Sequence, residues 1–159
     1  MQGIGATGAG ILGGNGLAET VPTLPPGASN AYYVYATDDG SQYRVLDARD
    51  NEEVFSSYSP EASFQRAFDR VSDEGGGTVV ASGDTFQFEG PATMEADTAL
   101  VGQHGTRFVV TPQGQRNSPF PGPDQTNPLS VGHDLIRVRG DNTAVTGITF
   151  DANGTQLDN

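Results

Sequence analysis

The stretch DTALVG, Asp97–Gly102, returns 45 residues later as NTAVTG, Asn142–Gly147. Each copy opens on Asp or Asn, which tolerate the positive φ of a tight turn, and each ends on Gly. Alignment of the copies places Leu100 over Val145 and one glycine over the other. Such an alignment is expected where one strand lies on another, with its inward side chains stacked and its turn repeated. The repeated phrase therefore predicts stacked strands.

Short strands surround both copies. From Thr78 onward, runs of apolar and β-branched residues such as TVVAS, TFQF and TRFVV alternate with turns rich in Gly, Asp and Asn. Chains that wind short strands into coils of roughly 20–25 residues form a parallel β-helix, in which each coil stacks on the next. The 45 residues between the two copies of the phrase fit two such coils, or one coil with an insertion. Thr111–Ser130 is the candidate insertion.

One helix is predicted before these strands, over Ser59–Glu74. Ser59 is a suitable N-cap and the following proline suits the first helical position. The apolar positions follow helical spacing and predict one buried stripe; they are Phe64, Ala67, Phe68 and Val71. Gln65 is expected on the opposite, solvent-facing side. Three glycines, Gly75–Gly77, end the helix.

A β-hairpin is predicted ahead of the helix. The runs Ala31–Ala36 and Gln42–Leu46 flank an Asp-Asp-Gly turn, and Val54-Phe55 adds a short third strand. The acidic residues between them, beginning at Asp47, lack the spacing of a calcium loop and are expected to form a solvated turn. We therefore divide the chain into residues 1–30, a hairpin extension at 31–57, and the helix with its coils at 58–159.

The charge of the chain excludes several classes of partner. Its 159 residues carry 20 acidic side chains, eight arginines and no lysine, for a net charge of −12, and no cysteine. Disulfides and thiolate metal sites are thus excluded, and nucleic acid and anionic membranes are disfavoured. An acidic surface without lysine is typical of proteins kept soluble in high salt, where charges are screened. An ordinary acidic protein from an arginine-biased genome is the alternative.

The first residues indicate export. Gly3, Gly5 and Gly8 match a dinucleotide-binding fingerprint only formally, because no strand precedes them. The Gly/Ala-rich stretch instead resembles the middle of a twin-arginine signal, with a cleavage point near Ala18 and the paired arginines upstream of Met1. A Pro-rich linker, Val21–Asn30, follows it. An extracellular or cell-surface location is expected; a flexible glycine-rich tail is the alternative.

The segment SFQRAFDRVSDEGGGTVVASGDTFQFEG, with MEADTALVGQHGTRFVV after it, resembles the start of right-handed parallel β-helix proteins of the pectin-lyase-like superfamily. The resemblance covers residues 59–159 and departs at Ala81-Ser82, where the family usually has Pro-Ala. It implies an all-β fold, a right-handed parallel β-helix represented by its first coils, with an N-terminal capping helix and a preceding hairpin. The hairpin is similar to an extension of exported members from salt-loving archaea.

The resemblance also implies a function. The family consists mostly of polysaccharide lyases and glycoside hydrolases, together with non-catalytic adhesins. Lyases use Ca²⁺ with an Arg or Lys base, whereas inverting hydrolases use two carboxylates about 6.5–9.5 Å apart. We therefore expect part of an enzyme that acts on an extracellular, anionic polysaccharide. A carbohydrate-binding or adhesion module, of the surface-protein or viral tail-fibre type, is the alternative, and a β-sandwich lectin is a third.

Candidate binding residues come from strand alternation. In DLIRVRG the apolar residues point inward, so Arg137 and Arg139 share an outer face, and in ITFDAN Asp151 points outward. Guanidinium groups suit sugar carboxylates, so these three residues are the predicted substrate-binding set. Ordinary surface residues are the alternative. No catalytic residue is assigned, and no metal site is predicted because His104 and His133 lack ligand spacing.

The last predicted coil leaves an open edge. Nothing after Asp151 resembles a cap, although the last coil of such a stack has to be capped or continued. We therefore expect the N-terminal part of a longer protein, with further coils or a capping partner at this edge. We also expect that the chain folds poorly alone, because few coils bury little surface.

Overall fold

The structure is a computed structural model that describes residues 30–110 and 135–151. One helix and eleven strands lie in these ranges. They are β1 Ala31–Ala36, β2 Tyr43–Asp47, β3 Glu53–Ser57, α1 Pro60–Asp73, β4 Gly77–Ala81, β5 Thr85–Phe88, β6 Ala92–Met94, β7 Thr98–Gly102, β8 Arg107–Val110, β9 Ile136–Val138, β10 Ala144–Thr146 and β11 Thr149–Asp151. The fold is β-rich with a single described helix, as the sequence predicts.

The strands form three sheets. The largest has the order β10-β7-β4-β1-β2-β3, the second β11-β8-β5, and the third β6-β9. From β4 onward the chain visits the three sheets in turn, so that β4, β5 and β6 make a first coil, β7, β8 and β9 a second, and β10 and β11 begin a third. Strands of successive coils pair in parallel in all three sheets. The buried hydrophobic residues of β4 to β8 form one cluster with those of the helix and the first two strands.

The register explains the repeated phrase. Strand β7 pairs directly with β10, and Val145 lies opposite Leu100. A single coil therefore separates the two copies, as expected for a coil with an insertion; Thr111–Ser130 itself lies outside the described residues. In the first coil, by contrast, Gly77 pairs with Thr98, only 21 residues later.

The turns of the repeat also stack. Asp97 and Asn142 have φ of 56° and 55°, the left-handed conformation predicted for them. The Asn142 Nδ2 donates to Asp97 Oδ1 at 3.0 Å. A Cβ added at Gly102 would lie 2.5 Å from the carbonyl oxygen of Gly147, so the backbones approach more closely than a side chain allows.

Helix α1 forms as predicted and covers the first coil. Ser59 Oγ accepts a hydrogen bond from the Ala62 N–H, and Pro60 is its first residue. The predicted stripe is buried, and the Phe64 ring lies 4.9 Å from the Phe108 ring and 5.1 Å from that of Phe86. Since the same ring also contacts Phe88, the helix and strands β5 and β8 of the second sheet share one aromatic core.

The hairpin belongs to the largest sheet. Strands β1, β2 and β3 pair antiparallel, while β1 also pairs in parallel with β4, so the extension continues the sheet that the coils form. Its apolar side chains join the core beneath α1. The prediction of a solvated acidic turn is wrong for Asp47, which is 7% exposed. Its carboxylate is buried because Arg49 folds back onto it.

Candidate functional site

Arg137 and Arg139 lie at the third sheet. In this sheet Ile136 and Val138 pair with Ala92 and Met94, both fully buried, so the arginine between them is directed to the outer face. Arg139 follows the strand, where its N–H donates to the Met94 carbonyl and its side chain is exposed. Arg137 and Arg139 therefore lie on and just after a strand whose apolar residues, Ile136 and Val138, are on the side that faces the core.

Asp151 lies in the second sheet and has a basic partner there. It ends β11, and its Oδ2 accepts a hydrogen bond from Nη2 of Arg107, which is on β8. Arg107 pairs with Thr85 on one side and Thr149 on the other, so these three outward positions form one row. The carboxylate that the sequence offers for a sugar is thus neutralised by an arginine of the preceding coil.

The structure therefore divides the predicted binding set between two sheets. Arg137 lies on the β6-β9 sheet and Asp151 on the β11-β8-β5 sheet. That Arg137 and Asp151 bind the same sugar remains a prediction. Sequence reasoning missed Arg107, although the alternation in TRFVV, which points Phe108 inward, also directs Arg107 outward.

A second charged cluster joins the hairpin to the end of the helix. The Arg49 guanidinium contacts Asp47 at 2.9 Å and Glu74 at 2.8 Å, while the Tyr32 hydroxyl donates to Glu74 at 2.7 Å. Burial, and then the bond to Glu74, raises the pKa of Tyr32 to about 12, and the Arg49 hydrogen bonds lower the pKa of Asp47. Near neutral pH the Tyr32 phenol therefore stays neutral and the Asp47 carboxylate stays ionised, which suits a structural clamp and not proton transfer.

The first coil has its free strand edges covered by other parts of the chain. Strand β4 pairs with β1, and the Tyr43 ring of β2 lies 5.7 Å from the Phe86 ring of β5. The Thr93 N–H on β6 donates to Oε1 of Gln65 on the helix at 2.8 Å, and the Thr93 carbonyl accepts from Gln65 Nε2 at 3.3 Å. The expectation that Gln65 faces solvent is wrong, because its amide replaces a missing strand partner. We call this the closed end.

The last strand of each sheet is open by comparison. Val138 is 48% exposed, Val145 37% and Phe150 52%, although each lies in register on a buried residue of the coil below. Those lower residues are Met94, Leu100 and Phe108. Within residues 30–110 and 135–151, no strand pairs with the outer edges of β9, β10 and β11. We call the surface formed by Val138, Val145 and Phe150 the end face.

Residues 30–110 and 135–151 hold no group of three or more His, Asp or Glu side chains that could bind a metal ion. His104 is exposed in the turn before β8, and His133 lies outside the described residues. No helix within these ranges has the length and apolar character needed to cross a membrane.

Comparison of the chain with protein-family models, with curated proteins and with solved structures found no match.

Proposed function

We propose that the chain is the N-terminal part of an exported, right-handed parallel β-helix protein. The support is the order in which the chain visits its sheets: each of the strands β4 to β8 pairs in parallel with the strand one coil later. Helix α1 and the hairpin cover the closed end, which is the role expected of an N-terminal cap. Further coils or a capping partner would cover the end face.

The whole protein would act on an extracellular anionic polysaccharide, as a lyase or a glycoside hydrolase. The observation that carries this proposal is the pair of arginines at the third sheet. Arg137 and Arg139 lie on the outer side of a coil, in a chain that is otherwise strongly acidic. A guanidinium binds a carboxylate through two parallel hydrogen bonds, so contact with a uronate can persist in salt that screens weaker attraction.

A non-catalytic binding or adhesion module is the second candidate. It is favoured by the pairing of Asp151 with Arg107, which leaves that carboxylate engaged and not poised as an acid or base. In this alternative the outer faces bind the polymer and no bond is broken. Ca²⁺ would be required only by the lyase, so a requirement for Ca²⁺ would favour a lyase over both a hydrolase and a binding module.

Binding of labelled polygalacturonate in multimolar KCl tests the proposal, with and without added Ca²⁺. The double variant Arg137→Gln/Arg139→Gln is expected to bind about tenfold more weakly, equivalent to about 1.4 kcal/mol. Arg66→Gln, which removes an arginine from the helix, is the matched control and should bind like the parent chain. Formation of unsaturated sugar, followed by its ultraviolet absorbance, would favour a lyase over a binding module.

Two outcomes would contradict the proposal. Equal affinity for polygalacturonate and for a neutral galactan would show that the guanidinium groups do not recognise the sugar carboxylate. Equal losses in the double variant and in the Arg66 control would show only a general effect of charge.

A further inference from the structure

The outer side of the largest sheet carries apolar side chains that are buried. Tyr32 and Val79 belong to the core, so strand alternation directs their neighbours Tyr33 and Val80 to the outer side. These two are register partners on β1 and β4, and they are only 3% and 4% exposed. Val101 on β7 continues the row and is half-buried. We call Tyr33, Val80 and Val101 the outer row.

Within residues 30–110 and 135–151, no element lies over the outer row. The helix packs on the inner side of this sheet, where its rings meet those of the second sheet. The adjacent outward row consists of Ala31, Thr78 and Ala99, whose side chains are too short to shield a tyrosine ring. A side chain on a solvated sheet face stands away from the sheet and keeps part of its surface in water. The nearly complete burial of Tyr33 therefore requires a cover from another part of the chain.

The chain that leads into β1 has a composition suited to this cover. Residues 1–29 contain one charged side chain, Glu19, in a protein of net charge −12. Within them, the stretch VPTLPP at Val21–Pro26 combines two aliphatic side chains with three prolines. Pro-rich segments in the extended polyproline II conformation dock on aromatic side chains at a low cost in entropy. An uncharged segment of this kind matches a row of tyrosine and valine.

The position of Asn30 brings that segment to the outer row. The Asn30 carbonyl accepts from the Thr78 N–H at 2.8 Å, and its Nδ2 donates to the Gly76 carbonyl at 3.2 Å, so the start of β1 is fixed on the sheet. The dipeptide Pro26-Gly27 just before it is a turn signal, which reverses the chain. Six residues of polyproline II span about 19 Å, whereas the outer row crosses two strand spacings, about 10 Å. Residues 111–134 and 152–159 instead follow β8 and β11, which belong to the second sheet.

We propose that Val21–Pro26 packs across the outer row and is part of the folded domain. The stretch that the sequence suggests as a linker then covers the largest sheet, and signal cleavage near Ala18 would leave it in place. The cover removes this sheet face from contact with a polysaccharide and leaves the outer side of the third sheet, with its arginines, open to one. The inference depends on burial and register and is independent of the carbohydrate proposal.

Thiol labelling of the full chain with a maleimide in multimolar KCl tests this proposal. The chain has no cysteine, so Val80→Cys introduces a single thiol at the outer row, and its reaction requires access to the reagent. Adding Leu24→Asp is expected to raise the labelling rate at least about tenfold, because a carboxylate is costly to bury and would displace the segment. Ile11→Asp, the same change outside the segment, is the matched control and should leave the rate unchanged. Val79→Cys, on the inner side of the same strand, should stay protected in both backgrounds, which separates local uncovering from unfolding.

Several results would overturn the proposal. They are a Val80→Cys thiol that is open in the parent background, one that Leu24→Asp leaves protected, and one that Ile11→Asp exposes equally. A rate raised by Phe120→Asp and not by Leu24→Asp would assign the cover to residues 111–134 and would also contradict it. Leu24→Ala is a milder second variant that should still raise the rate if the aspartate unfolds the sheet. The polygalacturonate assay reports on the arginine pair alone, so failure of one proposal is distinguishable from failure of the other.

Discussion

Truncation of Phe64 tests whether α1 and the coils share one core. The side chain is 0% exposed, and its ring has four aromatic neighbours with centroids 4.9–6.2 Å away. Phe→Ala substitutions in cores cost about 3–5 kcal/mol, and favourable ring pairs contribute about 0.5–1.5 kcal/mol beyond area burial. The neighbouring rings are fixed on the helix and on two strands, so the cavity cannot close easily. We therefore expect Phe64→Ala to lower the free energy of unfolding by about 4–5 kcal/mol.

Urea unfolding in multimolar KCl, followed by circular dichroism, measures this loss from the midpoint and the m value. The free energy of unfolding of a domain is only about 5–15 kcal/mol, so Phe64→Ala alone could remove much of it. Phe64→Leu is therefore included as a milder change, expected to lower that free energy by about 1–1.5 kcal/mol. Tyr58→Ala, at an aromatic residue that is 77% exposed, should cost no more than about 0.5 kcal/mol. If Phe64→Ala cost as little as the Tyr58 control, the shared core would be refuted.

Two further substitutions test the turns and the buried phenol. Gly102→Ala is expected to cost about 1–3 kcal/mol in urea unfolding, since the new Cβ would meet the Gly147 carbonyl oxygen, whereas Gly90→Ala, with open space around it, should be neutral or slightly stabilising. The unfolded chain ionises its tyrosines near pH 10 and Tyr32 ionises near 12 in the folded state, so stability falls as pH rises between these values. Tyr32→Phe should therefore reduce the alkaline slope of unfolding free energy by up to about 1.4 kcal/mol per pH unit; an unchanged slope would contradict the assignment.

The elements that the sequence predicts correctly depend on local chemistry. Helix α1 has a cap, a proline and an apolar stripe within one short segment, so its bounds follow from neighbouring residues. The pairing of Leu100 with Val145 is a long-range contact, yet it is predictable because both strands carry the same turn residues and the same alternation.

The features that sequence reasoning missed depend on contacts between distant segments. Gln65 lies on the flank of the helix, and its amide bonds to the backbone of β6 only because that strand lies beside it. Asp47 accepts hydrogen bonds from Arg49, and this arginine is held in turn by Glu74 at the distant end of the helix. The partner of Asp151 is likewise on a different coil. In each case a local pattern gives the side-chain type but not the group that lies opposite it.

A cysteine cross-link between β7 and β10 is the most direct test of the stacked coils. The chain contains no cysteine, so an introduced pair reports without background. Ala99 and Ala144 are register partners on adjacent strands, about 4.8 Å apart and within the range that a disulfide spans. Ala99 and Thr146 are two positions out of register, at about 8 Å, beyond that range.

The stacked register predicts that mild oxidation links Ala99→Cys/Ala144→Cys within one chain and leaves Ala99→Cys/Thr146→Cys unlinked, with mass spectrometry identifying the bridge. Equal yields from the two pairs, or a higher yield from the second, would contradict the register and with it the coil arrangement.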